Sequence, residues 1–552
     1  MKFFHRIFKS RATLPVAIFI LLIGVLVISL AGSERPPVLE SISPAIGTPG
    51  GVLVLKGRHF GEERLSGGVS ISGTRPTSAS YLEWTDTHIS VQIPDDAGTG
   101  LVYVTTKLGR SKGILFTNKN KIPMVMSETV KPGVPYIERL DTTVATVGQT
   151  IAISGLNFGL SQGTGRVLFT PVAAAADVGA ERDEESEYLA ASELDYDYTS
   201  WTDQEIHVRV PDGATSGNIF VENDRGTSNA FYIEVSNVVG TKVLREKRGY
   251  QILFSVQIAN VEAEPGSTID FWVPGPLKTL EQRNIEYLKI PDPLWDNHKG
   301  LSRYHFADPV PNTVYRINQT FWLDRYAVET KINSSNVEIG YDVDGRLYRA
   351  YTASTDMIPS DDEVLAEAAV SAVGRERNPY LKAKVVYQFL LGALDYELKP
   401  GGKTIIDNFE NGSADVYGFA MLYCAMTRAV GIPARPVAGF VIYGDRRARI
   451  HYWAEFYLPQ FGWVPVDPSL GEGARFGDYP NVEEPDNFFF GNIDSNHIVF
   501  TRGVVDVKAL SSEARTVRRN QLYSLQTFHE ESSTGVSSYT ATWNDLEVID
   551  IW

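Results

Sequence analysis

Two stretches of the chain repeat each other, and an internal repeat constrains architecture more than any composition figure does. Leu53-Val54-Leu55-Lys56-Gly57-Arg58-His59-Phe60-Gly61 follows the turn-forming run Pro44 to Gly51. Ile151-Ala152-Ile153-Ser154-Gly155-Leu156-Asn157-Phe158-Gly159 follows Thr146-Val147-Gly148-Gln149-Thr150. Trp84-Thr85-Asp86 and Ile93-Pro94-Asp95 return in the same order as Trp201-Thr202-Asp203 and Val210-Pro211-Asp212. Within each copy apolar residues alternate with polar ones between Gly/Pro turns, the period of half-buried strands in a β-sandwich. The copies span 36–120 and 135–238. The later signatures lie farther apart than the earlier ones, so the second copy holds an insertion, about 172–198, with carboxylates running from Asp177 to Asp197. Such a run suits calcium, but no Asp-x-Asp-x-Asp-Gly loop is present and the segment reads as a solvated charged loop.

The ordered motifs Gly-x-x-Phe-Gly, Trp-Thr-Asp and Ile-Pro-Asp resemble the TIG/IPT immunoglobulin-like family. The resemblance implies one immunoglobulin-like sandwich per copy. Some members of that family bind DNA. Here Lys+Arg 51 against Asp+Glu 67 leaves a net charge of −16, which disfavours nucleic acid as a partner.

At the start of the chain Leu14 to Ala31 is apolar except for Pro15, Gly24 and Ser29. That run is long enough to cross a hydrocarbon core of about 30 Å. The tail 1–13 carries Lys2, Arg6, Lys9 and Arg11 and no acid. These features predict a single-pass anchor with a cytoplasmic N-terminus and an extracytoplasmic bulk. Ser29-Leu30-Ala31 also fits a signal-cleavage site, which would make the protein secreted. The single cysteine, Cys424, permits no intrachain disulfide and no cysteine-based zinc site.

A further β-domain is expected over 245–352, from the alternation in Gln251–Val256, Thr268–Val273 and Thr313–Ile317. Past Ser360 the apolar spacing becomes helical, with Ser360 and Glu363 as a capping box. A helix led by Gly412 to Asp415 runs through Arg428 and stops at Gly431-Ile432-Pro433-Ala434-Arg435. Strands follow at Val437–Val441, His451–Tyr457 and Gly462–Asp467. The stretch 355–510 forms an α+β domain. The remainder, 511–552, reads as a tail with weak strand signals at Leu522–Phe528 and Thr540–Trp543.

The ordered motifs of 355–503, with Phe490–Asp494 and His497 among them, resemble the transglutaminase-like family of the papain-type fold. Members place a cysteine nucleophile at the start of a helix ending in Gly-Ile-Pro-Ala-Arg. A histidine follows in His-x-Trp-x-Glu, and an aspartate in Gly-Trp-x-x-x-Asp-Pro. The resemblance makes His451 the general base and Asp467 the group that orients it, and implies no metal or cofactor. A helix N-terminus and a neighbouring imidazolium lower a thiol's pKa, and the imidazole then carries the proton to the leaving amine. The nucleophile position lies fifteen residues before Gly431, and Val416 occupies it. Cys424 is about 12 Å further along the helix and roughly 80° around it, within an apolar run, so it reads as a core thiol. Ser413 reads as a helix cap.

The fold expected is therefore multidomain: a transmembrane helix, two TIG/IPT-like sandwiches, a β-domain and a transglutaminase-like domain. Three functions fit. The first is a pseudoenzyme that binds a polypeptide or cell-wall ligand. The second is an active acyl-transfer enzyme or cysteine protease using Cys424 or another, unexpected residue. The third is a structural surface or adhesion protein in which Tyr452, Trp453 and Trp463 are simply core.

Overall fold

A computed structural model describes residues 35–119, 133–172, 188–289, 295–298 and 300–552. The predicted anchor at Leu14–Ala31 and most of the acidic insertion lie outside the described residues. No helix among the described residues is long and apolar enough to cross a membrane. The chain is multidomain and strand-rich, and divides into two compact units at Thr129/Val130.

In the first unit a sheet ordered Val38–Ser43, Val52–Arg58, His88–Gln92, Tyr81–Trp84 is accompanied by one built on Ile114–Asn118, Gly100–Thr106 and Gly68–Ile71. The repeated motif has a physical cause. At Gly57 a Cβ would stand 2.0 Å from the Val38 carbonyl oxygen and 2.5 Å from the Phe60 ring. Only glycine lets the aromatic fold back over the strand. Trp84 then donates its indole N–H to the Phe60 carbonyl at 3.2 Å, and the Asp86 carboxylate accepts the Gly61 amide at 2.9 Å.

The second unit begins with the same device. A Cβ on Gly155 would lie 2.0 Å from the Tyr136 carbonyl and 2.6 Å from Phe158. Trp201 donates to Phe158 at 3.1 Å and Asp203 accepts from Gly159 at 3.0 Å. Its sheet, ordered Tyr136–Leu140, Thr150–Leu156, Glu205–Arg209, Tyr198–Trp201, repeats the strand order of the first.

Next come β1 (Gly240–Ala263) and β2 (Tyr315–Ile332), long antiparallel strands at the centre of a sheet that also takes Gln282–Lys289, Val536–Trp543 and β7 (Glu547–Ile551). A second sheet holds Leu301–Ala307, Thr268–Pro274, Glu530–Ser532 and Arg515–Val517. The reading of 511–552 as a tail is thus corrected, since four of its strands complete this β-domain. Their partners lie far back in the sequence, where a single strand pattern gives no hint of them. The β-domain's expected end is also corrected: Arg346–Thr352 is helical.

In the last domain α1 (Glu363–Val373), α2 (Pro379–Ala393) and α3 (Val416–Ala429) pack with a sheet ordered β5 (Gly462–Val466), β4 (Arg447–Leu458), β3 (Ala434–Tyr443), β6 (His497–Arg502). α3 is buried almost all round, as its apolar sequence requires. It stops before Gly431, whose φ of 80° suits a residue without Cβ. The expected cap of α1 shifts: Asp362, not Ser360, accepts the Leu365 amide at 3.1 Å. Phe440 and Phe500 from this sheet share one core with Ile252 and Phe254 of β1, so the β-domain and the last domain are continuous.

Candidate functional site

Asp415 caps α3, its Oδ1 accepting the Gly418 amide at 2.8 Å while its Oδ2 accepts from Gln521 Nε2 at 3.0 Å. Ser413, expected as the cap, lies instead in the short strand Ser413–Ala414, paired with Asp395–Tyr396. Val416 is the first helical residue and is 7% exposed. The partial positive charge of the helix terminus would favour a thiolate at this position. An isopropyl group gives it nothing to ionise.

Cys424 is fully buried. Burial pushes its thiol up to about 12 despite the nearby Arg428. A thiol so placed is not a nucleophile at neutral pH. Iodoacetamide should therefore leave Cys424 unmodified in the native protein and alkylate it stoichiometrically in urea. Labelling at native rates typical of an exposed thiol would contradict this burial.

β4 carries His451 and, because β5 pairs with β4 in register Ala454↔Val466, places Asp467 at the end of β5 beside it. His451 Nε2 lies 2.6 Å from Asp467 Oδ2. The other Asp467 oxygen accepts from Ser469 Oγ at 2.8 Å and the Leu470 amide at 3.0 Å. A second imidazole completes the group. His497 on β6 sets Nε2 3.2 Å from Asp467 Oδ2 and Nδ1 2.8 Å from Asp494 Oδ1. Tyr479 donates its hydroxyl to the other Asp494 oxygen.

This chain of bonds fixes the protons. Both nitrogens of His497 face carboxylates, so both are protonated and the ring is cationic. Burial opposes that charge, but Asp494 and Asp467 outweigh it and raise the His497 pKa. Burial would also raise Asp467, yet His451 and His497 hold its carboxyl well below the usual range. Burial lowers His451, which Asp467 offsets only in part, so that ring is neutral. Its one proton sits on Nε2, and Nδ1 is a bare lone pair with no partner among the described residues. The ring is fully buried among Trp453, Phe476 and His497, with centroids 6.0, 5.4 and 5.3 Å away. Asp494 and His497 lay inside the recognised stretch without an assigned role. Their three-residue spacing ahead of a buried strand was the available signal.

The same arrangement predicts a pH window of stability. His497, raised in the folded state, stabilises fully below its unfolded pKa, and that contribution is lost as pH rises through the higher folded value. Asp494, lowered to about 2, stabilises above its ordinary value near 3.8 and loses the contribution as pH falls toward 2. Thermal melts should therefore fall on the alkaline side above about pH 6.5. His497→Gln should lower Tm and flatten that alkaline slope; an unchanged slope would contradict the cationic ring.

The ligand atoms of His451, Asp467 and His497 lie within 4.8 Å of one another, a donor set of the kind that holds divalent ions. Each is already committed to a hydrogen bond.

The motif arginine, Arg435, has a structural task. It donates Nε to Glu455 at 2.8 Å, pairs with Asp195 of the second sandwich, and stacks on Trp463 with its Cζ 3.8 Å from the ring centroid. Trp463 Nε1 also donates to Asp195 at 3.0 Å. The end of the acidic insertion is thus not solvated, a correction with a clear cause: a buried guanidinium needs carboxylates, and Asp195 supplies one.

A family model of the transglutaminase-like superfamily matches residues 366–468, and one of the IPT/TIG domain matches 37–120. The chain therefore carries a transglutaminase-like domain preceded by a TIG domain. An uncharacterized protein of Haemophilus influenzae is 26% identical over 196 residues, covering 30% of this chain and 52% of that protein. The chain thus spans about half the length of that relative. Among solved structures, a presumed cysteine protease from Cytophaga hutchinsonii is similar at 15% identity and a TM-score of 0.36, covering 56% of this chain and 92% of that one. The periplasmic domain of TgpA from Pseudomonas aeruginosa is similar at 15% identity and a TM-score of 0.23, covering 42% and 88%.

Proposed function

We propose that this is an extracytoplasmic protein, anchored by Leu14–Ala31, whose transglutaminase-like domain binds a polypeptide or cell-wall ligand without turning it over. The observation that carries the reading is Val416 at the first position of α3, where acyl transfer would need sulfur. His451 and Asp467 keep a base and its orienter, and Nδ1 is left with nothing to deprotonate. The chain's one thiol is inert by burial.

The test pairs turnover with binding. Dansylcadaverine incorporation into casein, and casein hydrolysis, should stay at the blank rate, while casein or purified murein sacculi retain the protein in co-sedimentation. Turnover that His451→Ala abolishes would overturn the proposal in favour of an active enzyme. A purely structural role is the second reading, favoured by the complete burial of His451. Absence of binding to either probe would favour it.

A further inference from the structure

The β-domain holds a surface feature independent of the buried dyad. Along β1, Tyr250, Ile252, Phe254 and Val256 point into the core, so Gln251, Leu253, Ser255 and Gln257 point out. The same alternation on β2 puts Asn318, Thr320 and Trp322 on the outer face. Register sets Gln251 beside Trp322, Leu253 beside Thr320 and Ser255 beside Asn318.

On the other flank of β1, Trp552 follows β7 and pairs with Gly249. Its amide donates to the Gly249 carbonyl at 3.1 Å and its carbonyl accepts the Gly249 amide at 2.8 Å. A Cβ on Gly249 would come within 2.0 Å of the indole, so glycine makes the seat on which that ring lies. The rings of Trp322 and Trp552 meet at 5.9 Å and 72°, and the residues are 41% and 57% exposed. Burying an indole is among the most favourable things a fold can do with it. Here two are held side by side in solvent.

The chemistry around them selects an occupant. Beside the two rings, Gln251, Thr320, Ser255 and Asn318 offer amide and hydroxyl groups along the paired strands, on a chain of net charge −16. Carboxylates flank this face: Glu286 opposite Trp322, Glu547 opposite Leu253, Asp550 opposite Gln251 and paired with Arg446 at 2.7 Å, and Asp324 opposite Gly249 and paired with Lys247 at 2.8 Å. A polyanion would meet those carboxylates, and a polycation would find two of the four already paired. A neutral polyol matches every element, with C–H faces for the indoles and hydroxyls for the amides and flanking carboxylates. We infer that this angled tryptophan pair is a glycan-binding platform that stacks the sugar rings of a neutral polysaccharide.

Native affinity electrophoresis of the full chain tests it, with gels holding amylopectin, mixed-linkage β-glucan or galactomannan, and polygalacturonate as the charged control. At least one neutral polymer should retard the wild-type protein. Trp322→Ala and Trp552→Ala should each weaken that retardation about tenfold, the scale of a lost aromatic anchor, with Tm unchanged because both rings are exposed. Trp552→Tyr, which keeps a ring, should retain most of it. The inference is overturned if no neutral polymer retards the protein, if polygalacturonate alone does, or if the double alanine variant is retarded equally. It is also overturned if sedimentation shows a glycan-free dimer that Trp322→Ala dissociates, for the face is then a contact between copies of this chain.

Discussion

Val416→Cys should convert this protein into an acyl-transfer enzyme. The base and its orienter are in place, with His451 Nε2 2.6 Å from Asp467 Oδ2. The new thiol would sit at the first position of α3, where the helix terminus stabilises a thiolate. His451, neutral, with its proton on Nε2 and Nδ1 bare, can take the thiol proton and return it to the departing amine. Asp467, anionic and held by four donors, prevents the ring from turning. The thiol pKa should fall from about 8.5 into the range of roughly 3.5–7.5 seen for such sites. Loss of a nucleophile costs on the order of 10⁶ in turnover, so restoring one should raise dansylcadaverine incorporation by at least about 10²-fold. His451→Ala in the same background should abolish the gain. A Val416→Cys protein with a thiol pKa near 8.5 and no turnover would show that the site has lost more than its sulfur.

Arg435→Ala should be the most destabilising single substitution in the domain junction. The guanidinium is fully buried, and although burial disfavours its charge, Asp195 and Glu455 raise its pKa well above the ordinary value. Truncation would leave Asp195 without its ion-pair partner, leave Glu455 with only Arg502 at 3.0 Å, and remove the plane that stacks on Trp463. Breaking one partner out of a buried ion pair costs about 3–5 kcal/mol. Urea unfolding should register a loss of that size. Arg435→Lys should recover little, because an ammonium cannot bridge two carboxylates and stack in one geometry. A loss below about 1 kcal/mol, the scale of a surface pair, would contradict the burial.

Much of this architecture is written in local pattern. The Gly57/Phe60 and Gly155/Phe158 signatures are legible because each is a self-contained steric device of four residues. The site is legible for a related reason: His451 and Asp467 lie on paired neighbouring strands, close in sequence. What stayed hidden depends on long-range pairing. Asp195 reaches Arg435, and the strands after residue 511 return to β1 and to Thr268–Pro274, across more of the chain than any periodicity can report. Pattern alone points to Ser360 and Ser413 as caps because several polar residues crowd each helix start, and only geometry selects Asp362 and Asp415. The role of His497 needed the second carboxylate, Asp494, to be seen beside it.

The most direct measurement of the central claim is the initial rate of dansylcadaverine incorporation into casein by the unaltered protein beside its His451→Ala variant. A residue without a nucleophilic atom at position 416 predicts two identical traces at the blank rate. A wild-type rate above blank that disappears with His451 would mean another group supplies the attacking atom, and the account of an inert site would be wrong.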